Sequence, residues 1–224
     1  MKVVLDIETD AAPINEWATL VGLDLAEVES DFPNYEKGYQ KSFFDGTYSR
    51  IVCIGVLTLK DDSTTLNPIA WYGDNEKAIL EAFWDFMGKH RPDQVITHNG
   101  LNFDLPFIKK RSIIHQVKPT VDINLAKFQT RSVFDTMAVW TNWDFRGAVK
   151  LDVLARVLQV EAKSGSGEHV REMWASGKWK EIADYCLQDV YVTYACYCRM
   201  NYVEPQKSIE ALAKRALHLT GLGS

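Results

Sequence analysis

Apolar and polar residues follow a strand-like pattern in the first part of the chain. Apolar side chains dominate residues 2–8, 50–59 and 66–72, and the last two runs are separated by a predicted turn at Asp61-Asp62-Ser63. We expect these three runs to form strands that pair as a meander. Shorter runs at 94–98 and 132–135 predict two further strands.

Helical spacing of apolar residues begins after the third predicted strand. Asp74 is a suitable N-cap for a helix that ends before Pro92, and a second helix is expected from about Leu105 to His115. The later part of the chain is mainly helical, with predicted helices at 151–160, at about 179–200 and beyond Pro205. Strands followed by alternating strands and helices predict an α/β domain, with a mixed central β-sheet flanked by helices.

Residues 10–49 interrupt this rhythm, because they are too many for a simple connection between the first two strands. Aromatic residues alternate there with lysines, at Tyr35, Lys37, Tyr39, Lys41 and Phe43. One interpretation is that the segment folds back and buries its rings. The other is that the rings stack on bases while the lysines contact phosphates.

Composition indicates one large globular domain of 224 residues, 46% of them apolar. No apolar run approaches the roughly 20 residues that a membrane-spanning helix needs, and the acidic start does not resemble a signal peptide, so we predict a cytoplasmic protein without a membrane segment. The four cysteines lack paired Cys-x-x-Cys spacing and are expected to be free thiols. The formal charge of −5 gives no sign of a broad nucleic-acid-binding surface, but a carboxylate site with divalent ions could still meet a phosphate.

The end of the first strand carries two acidic residues on one side. Side chains alternate along a strand, so Asp6 and Glu8 share a face with Val4, while the opposite face carries Val3, Leu5 and Ile7. Two neighbouring carboxylates repel each other unless one is protonated or a cation lies between them. The pair therefore suggests a metal site, although two residues alone do not establish one.

Two further acidic segments occur later in the chain. Asn99-Gly100 predicts a turn, after which Asp104 stands at the start of a helix, where an ordinary capping role is possible. Tyr185 and Asp189 lie one helical turn apart and share a helix face. Neither segment is distinctive by itself.

The ordered set is distinctive. Asp-x-Glu, then Asn-x-x-x-Phe-Asp, then Tyr-x-x-x-Asp resembles the three exonuclease motifs of the DEDD superfamily in its tyrosine-containing subgroup, DEDDy. More narrowly, the chain resembles the predicted 3′–5′ exonucleases related to the proofreading domain of family B DNA polymerases. The similarity extends from Met1 to about Met200 and includes Ser49–Val52, Leu151–Ala155 and Gly177–Ile182.

This resemblance implies a ribonuclease H-like fold and removal of nucleoside 5′-monophosphates from the 3′ end of single-stranded DNA or RNA. By motif match, two divalent ions, Mg²⁺ or Mn²⁺, would be held by Asp6, Glu8, Asp104 and Asp189, with Asp6 the best candidate to bridge them. Tyr185 would orient the attacking water. Hard cations prefer oxygen ligands, and a tyrosine with a pKa near 10 stays protonated at neutral pH, which agrees with these roles.

Substrate contacts are expected from four further residues, each with an ordinary structural alternative. Thr9 could contact the terminal nucleotide or only shape the turn, and Asn99 could bond the sugar-phosphate backbone or stabilise its own turn. Phe103 could stack on a base or belong to the core, and Lys163 could bind a phosphate or be merely exposed. His98 is expected to be packed or hydrogen-bonded beside its turn rather than to act as a general base.

The predicted organisation is an exonuclease domain at 1–204 with an insertion at about 10–49, followed by a C-terminal helical extension at 205–224. Without a polymerase domain in cis, the chain is expected to act alone or in a complex. Two alternatives share the fold: a noncatalytic nucleic-acid-binding domain, and a ribonuclease H-like endonuclease. Retention of all four carboxylates disfavours the first, and the Tyr-x-x-x-Asp helix disfavours the second. Nucleotide binding without hydrolysis lacks a Gly-rich phosphate loop.

Overall fold

A mixed β-sheet forms the centre of the molecule. The computed structural model describes residues 1–59, 66–161 and 170–206, together with the backbone of 217–219. Its strands lie in the order β5-β4-β1-β2-β3-β6. They span Lys2–Asp10 (β1), Arg50–Leu59 (β2), Leu66–Tyr72 (β3), Gln94–Thr97 (β4), Val133–Asp135 (β5) and Leu217–Leu219 (β6).

The predicted meander is confirmed, since β1 pairs antiparallel with β2 and β2 pairs antiparallel with β3. β4 is parallel to β1, and β5 is parallel to β4. The carboxyl ends of β1, β4 and β5 therefore meet at one edge of the sheet. This edge is where the acidic motifs converge.

Helices cover both faces of the sheet. They span Ile14–Val21 (α1), Leu25–Ser30 (α2), Phe32–Ser42 (α3), Glu76–His90 (α4), Asp104–Ile114 (α5), Thr136–Trp140 (α6), Leu151–Val157 (α7), Val170–Ala175 (α8) and Trp179–Met200 (α9). The capping prediction at Asp74 was wrong by one position: Asn75 is the N-cap of α4, because its side chain accepts a hydrogen bond from the backbone N–H of Ala78 at 3.1 Å.

Alternation along β1 divides the core between the two faces. Val3, Leu5 and Ile7 pack in one cluster with apolar residues of α4 and α5. Val4 packs on the other face with α7 and α9. The predicted division of β1 is thus observed, and the face shared by Val4, Asp6 and Glu8 is the one that α9 covers.

The insertion between β1 and β2 is helical and has a small core of its own. Helices α1 to α3 enclose Trp17, Val28 and Tyr39, and the Tyr39 hydroxyl donates a 2.9 Å hydrogen bond to the carbonyl of Ala12. Phe43 packs edge-on against Tyr39 at 4.9 Å between ring centroids. The packing interpretation therefore holds for these two rings.

The C-terminal segment differs from its prediction. Leu217–Leu219 form a strand parallel to β3, so a helical extension is wrong at these positions. Pairing with β3 satisfies backbone groups that a free sheet edge would leave exposed. The predicted turn at 61–63, the connector at 163–168 and residues 207–216 lie outside the described residues. Among the helices that are described, none is both long enough and apolar enough to cross a membrane.

Candidate metal centre

Strand β1 supplies the first two carboxylates of the site. Asp6 and Glu8 project from the face covered by α9, and a β-bulge in the pairing with β2 follows directly after Glu8. Such bulges re-aim side chains at the ends of paired strands. Glu8 is 9% exposed, and a carboxylate oxygen from each residue lies within 4.8 Å of the Cys186 sulfur and of the other.

Asp104 reaches the site from the first residue of α5. It is buried, and its Oδ1 accepts a 3.1 Å hydrogen bond from the backbone N–H of Ile7 on β1. The N-cap position of α5 is Phe103, which makes no side-chain capping bond. Asp104 therefore does not serve as the ordinary helix cap that its position alone allowed; its carboxylate is directed to the strand that carries Asp6 and Glu8.

Helix α9 supplies the remaining two groups. Tyr185 and Asp189 lie one turn apart, and a hydrogen bond from the tyrosine hydroxyl lowers the pKa of the Asp189 carboxyl against the larger effect of burial. Charges on Asp104, Glu8 and Asp189 all act on Asp6. The structure thus brings together the five residues that the motif match selected.

Cys186 is a component of this site that the sequence analysis did not single out. Its thiol lies 3.5 Å from the backbone oxygen of Asp6 and 3.6 Å from Asp6 Oδ2. The approach is possible because Gly55 of β2 has no side chain: a Cβ there would stand 2.7 Å from the Cys186 sulfur. A glycine inside an otherwise apolar strand was the available signal for such a close approach.

Burial and mutual repulsion disfavour the charged forms of the four carboxylates. Burial, followed by the neighbouring negative charges, raises the pKa values of Asp6 and Glu8 well above their usual range. Burial raises the pKa of Asp104 to about 7 and that of Asp189 to about 6. Burial and the same negative charges also raise the pKa of Tyr185, so its hydroxyl keeps its proton at neutral pH.

The composition of the site fits a hard divalent cation. Within residues 1–59, 66–161 and 170–206, no lysine, arginine or histidine forms an ion pair with any of the four carboxylates. Buried negative groups of this kind need either protons or a cation. Carboxylate oxygens are the ligands that Mg²⁺ and Mn²⁺ prefer.

A family model described as a predicted 3′-5′ exonuclease related to the exonuclease domain of PolB matches residues 41–219. The chain belongs to this family. The matched range covers β2 to β6 and includes Asp104, Tyr185 and Asp189, while Asp6 and Glu8 precede it.

Several proteins similar to this chain are much larger DNA polymerases. This chain is 24% identical over 201 residues to a DNA polymerase from Thermococcus sp. (strain 9oN-7). The aligned region covers 80% of this chain and 24% of the polymerase. The chain is 28% identical over 141 residues to the catalytic subunit of DNA polymerase epsilon from Yarrowia lipolytica, 58% of this chain and 6% of that protein. The chain therefore spans a quarter or less of the length of these relatives.

A solved structure confirms the fold class. The family B DNA polymerase from the hyperthermophilic archaeon Pyrobaculum calidifontis matches with a TM-score of 0.57 and 16% identity, over 90% of this chain and 24% of the polymerase chain. This likeness, with the mixed sheet and its helical cover, agrees with the ribonuclease H-like α/β fold expected from the sequence.

Asp135 holds the turn at residues 99–101 that leads to Asp104. It is fully buried, and its carboxylate accepts hydrogen bonds from the backbone N–H groups of Asn99 (2.9 Å) and Leu101 (3.0 Å). The same carboxylate caps α6 through Met137 and Ala138. A carboxylate at the end of a short apolar segment was the available signal for the cap, but no local pattern indicated the bonds to the 99–101 turn.

The four residues predicted to contact the substrate differ in their local environments. Thr9 is half-buried directly after the bulge. Asn99 has a positive φ of 62°, and its Oδ1 accepts a 3.2 Å bond from Asn102, so it stabilises its own turn. Phe103 is half-buried, with its ring 5.5 Å from that of Phe107. Lys163 lies outside the described residues.

His98 is packed beside its turn, as expected. Its Nδ1 lies 2.8 Å from the Thr136 hydroxyl and its Nε2 lies 3.1 Å from the carbonyl oxygen of Val149. Burial lowers the pKa of the His98 ring, which favours the neutral form. Both ring nitrogens are thus engaged in contacts within the fold.

Proposed function

We propose that this chain is a metal-dependent 3′–5′ exonuclease that hydrolyses phosphodiester bonds of single-stranded DNA or RNA and releases nucleoside 5′-monophosphates. The observation that carries the proposal is the cluster of four carboxylates, Glu8 and Asp104 buried and Asp6 and Asp189 half-buried, with no cationic side chain paired to any of them among the described residues. Membership of a predicted 3′-5′ exonuclease family supports the direction of attack.

The four carboxylates would hold two divalent ions, Mg²⁺ or Mn²⁺, with Asp6 central because the other three charges all act on it. When bound, the two ions would offset the negative charge of the carboxylates and of the phosphodiester, and would stabilise the attacking and leaving oxygens of an in-line displacement. The chain's own contribution is to fix four oxygen-ligand side chains on three different elements, β1, α5 and α9.

Tyr185 would position the attacking water rather than deprotonate it. Its pKa is raised by burial and by the neighbouring carboxylates, so the hydroxyl stays protonated, and its oxygen can accept a hydrogen bond from the water. Asp189 accepts from the same hydroxyl and so fixes the orientation of the ring. A protonated, oriented phenol suits the task of aligning a water with the scissile phosphate.

The test compares the intact chain with Asp6→Ala and Asp189→Asn on 5′-labelled single-stranded DNA and RNA, in Mg²⁺, in Mn²⁺ and in EDTA. We expect stepwise shortening from the 3′ end that requires the metal and is reduced at least a hundredfold in both variants, because Asp6→Ala removes the proposed ligand oxygens and Asp189→Asn removes the charge of the ligand. Asp184→Asn is the matched control. It removes a carboxylate from the same helix, but one that pairs with Lys180 at 2.6 Å.

Different substrates separate the proposal from its two alternatives. Cleavage of circular single strands would identify an endonuclease, because a circle has no 3′ end. Binding of linear strands without shortening in either metal would identify a noncatalytic nucleic-acid-binding domain. Either result would overturn the exonuclease proposal.

A further inference from the structure

The insertion between β1 and β2 places one exposed aromatic ring against Phe103, the residue before Asp104. Phe44 is 73% exposed, and its ring centroid lies 6.5 Å from that of Phe103, at an interplanar angle of 61°. Phe103 directly precedes Asp104 in the chain, so the Cα atoms of these two residues are about 3.8 Å apart. The Phe44 ring is thus linked to Asp104 through one ring contact and one peptide unit.

The backbone that carries Phe44 is held on its N-terminal side. The preceding residue, Phe43, packs against Tyr39, and the guanidinium of Arg171 lies 5.5 Å from the Phe43 ring centroid. Arg171 also donates a 3.4 Å hydrogen bond to the Tyr39 hydroxyl. The insertion is thus tied to α8 immediately before Phe44.

The backbone is also held on the C-terminal side. Asp45 pairs with Lys110 of α5 at 2.6 Å, and the carbonyl of Gly46 accepts a 3.3 Å bond from Arg111. Gly46 passes so close to α5 that a Cβ there would stand 3.0 Å from the Phe107 ring. An exposed ring on a backbone held at both sides is preorganised, which lowers the entropy cost of binding a partner.

We propose that Phe44 is a substrate-binding residue that stacks on the 3′-terminal nucleobase while the carboxylates act on its phosphodiester bond. This inference rests on the proposed exonuclease function. In it, the insertion forms the wall of the site that binds the terminal base. Stacking on an aromatic ring is the sequence-tolerant way in which proteins bind single-stranded nucleic acid. A single exposed phenylalanine is common on protein surfaces, so its contact with Phe103, the residue before Asp104, and its fixed backbone carry the assignment.

Phe128 provides a matched control. Its ring is 76% exposed and contacts Trp143, with 5.4 Å between centroids. It precedes β5, near the Thr130 carbonyl, to which Gln94 at the start of β4 donates a 2.6 Å bond. Phe128 therefore lies at the edge where β4 and β5 begin, whereas the carboxylates lie at the edge where these strands end.

The experiment measures binding of two 5′-labelled single strands that differ only at the 3′ terminus, one ending in a nucleoside and the other in an abasic sugar. Binding is measured in Mg²⁺ on the Asp189→Asn chain, so that hydrolysis does not interfere. We expect loss of the terminal base to weaken binding about tenfold in this parent, and less than twofold after Phe44→Ala. Phe44→Trp and Phe128→Ala should both keep the tenfold difference.

An unchanged tenfold difference in Phe44→Ala would overturn the inference, as would a parent that binds the two strands equally. Circular dichroism of each variant checks the fold, which an exposed side chain should not affect. Failure of the proposed function gives a different result: the intact chain, with Phe44 and Asp189 both present, would then not shorten any strand in either metal.

Discussion

At the scale of single residues, the decisive property is the cost of placing charge on Asp104. Burial raises its pKa from an ordinary value of 3.8 to about 7, although the N–H of Ile7 donates to it. A carboxyl group whose pKa is higher in the folded than in the unfolded chain stabilises the fold when it is protonated. Its contribution is complete below about pH 4 and is lost as the pH rises through about 7.

We therefore predict that Asp104→Asn stabilises the metal-free protein at pH 8 and has little effect below about pH 4, where the carboxyl is protonated in both states. The amide keeps an oxygen that can accept from Ile7 but carries no charge. Between the unfolded and the folded pKa, the stabilisation should grow by about 1.4 kcal/mol for each pH unit, and it should stay constant above the folded pKa. Each kcal/mol of stabilisation corresponds to an increase of about 2–4 °C in Tm. Thermal unfolding in EDTA across this pH range measures it.

Added Mg²⁺ gives the complementary result. It should raise the Tm of the unmodified chain at pH 8, because binding to the folded state alone stabilises it, and should raise that of Asp104→Asn much less. Asp184→Asn serves as control and should follow the unmodified chain. Equal pH dependence in Asp104→Asn and the unmodified chain would contradict the assignment of Asp104 as a costly buried charge.

At the scale of elements, the contact between α9 and β2 determines where Tyr185 and Asp189 stand. This contact is close because Gly55 lies beneath the helix: a Cβ there would be 2.7 Å from the Cys186 sulfur and 3.2 Å from Val190 Cγ2. Both side chains are buried, so they have little space into which to move. The helix as a whole would have to shift.

We predict that Gly55→Ala lowers the free energy of unfolding by about 1–3 kcal/mol, the usual cost of overpacking a core. It should also reduce nuclease activity at least tenfold, because a shift of α9 moves two groups of the site away from Asp6 and Glu8. Chemical denaturation and the 3′-shortening assay measure the two effects.

Two further variants test this reasoning. Cys186→Ala combined with Gly55→Ala removes the sulfur from the nearer clash and should recover most of the stability. Gly38→Ala is the control, because a Cβ at this position in α3 meets the Trp17 ring at an ordinary 3.5 Å. If Gly55→Ala left both stability and activity unchanged, the close packing of α9 on β2 would not control the site.

At the scale of the whole molecule, surface charge bears on how the chain would hold a nucleic acid. The formal charge is −5, so a broad electrostatic attraction to phosphates is not expected. Binding of a nucleic acid would then depend on the proposed metal site and on the few nucleotides near it. The insertion adds a small helical unit with its own apolar core between β1 and β2.

If the chain is the exonuclease proposed above, we predict that it releases its substrate frequently, so that shortening is distributive. In a chase experiment, a labelled strand is bound first and excess unlabelled strand is added together with Mg²⁺. Most labelled strands should then lose only one or a few nucleotides, because the protein that dissociates from them is captured by the unlabelled competitor strand. Complete conversion of the labelled strand to mononucleotides without intermediates would contradict this prediction.

Much of the architecture follows from local sequence patterns. The bounds of β2, β3 and α9 agree with the apolar periodicity, because each element buries one or both of its faces against the sheet. The helices of the insertion were missed, because their short apolar segments have no regular spacing over a long window. The β6 strand was missed because a three-residue segment acquires its conformation from pairing with β3.

The sequence by itself determined the acidic motifs and the face on which Asp6 and Glu8 lie, because alternation along a strand and spacing along a helix are local properties. The tertiary structure alone decided how these groups meet. Asp104 turns to Ile7 instead of capping its helix, and α9 approaches β2 only because Gly55 leaves room for Cys186. These contacts join residues far apart in the chain, and their energies depend on burial, which no local pattern contains.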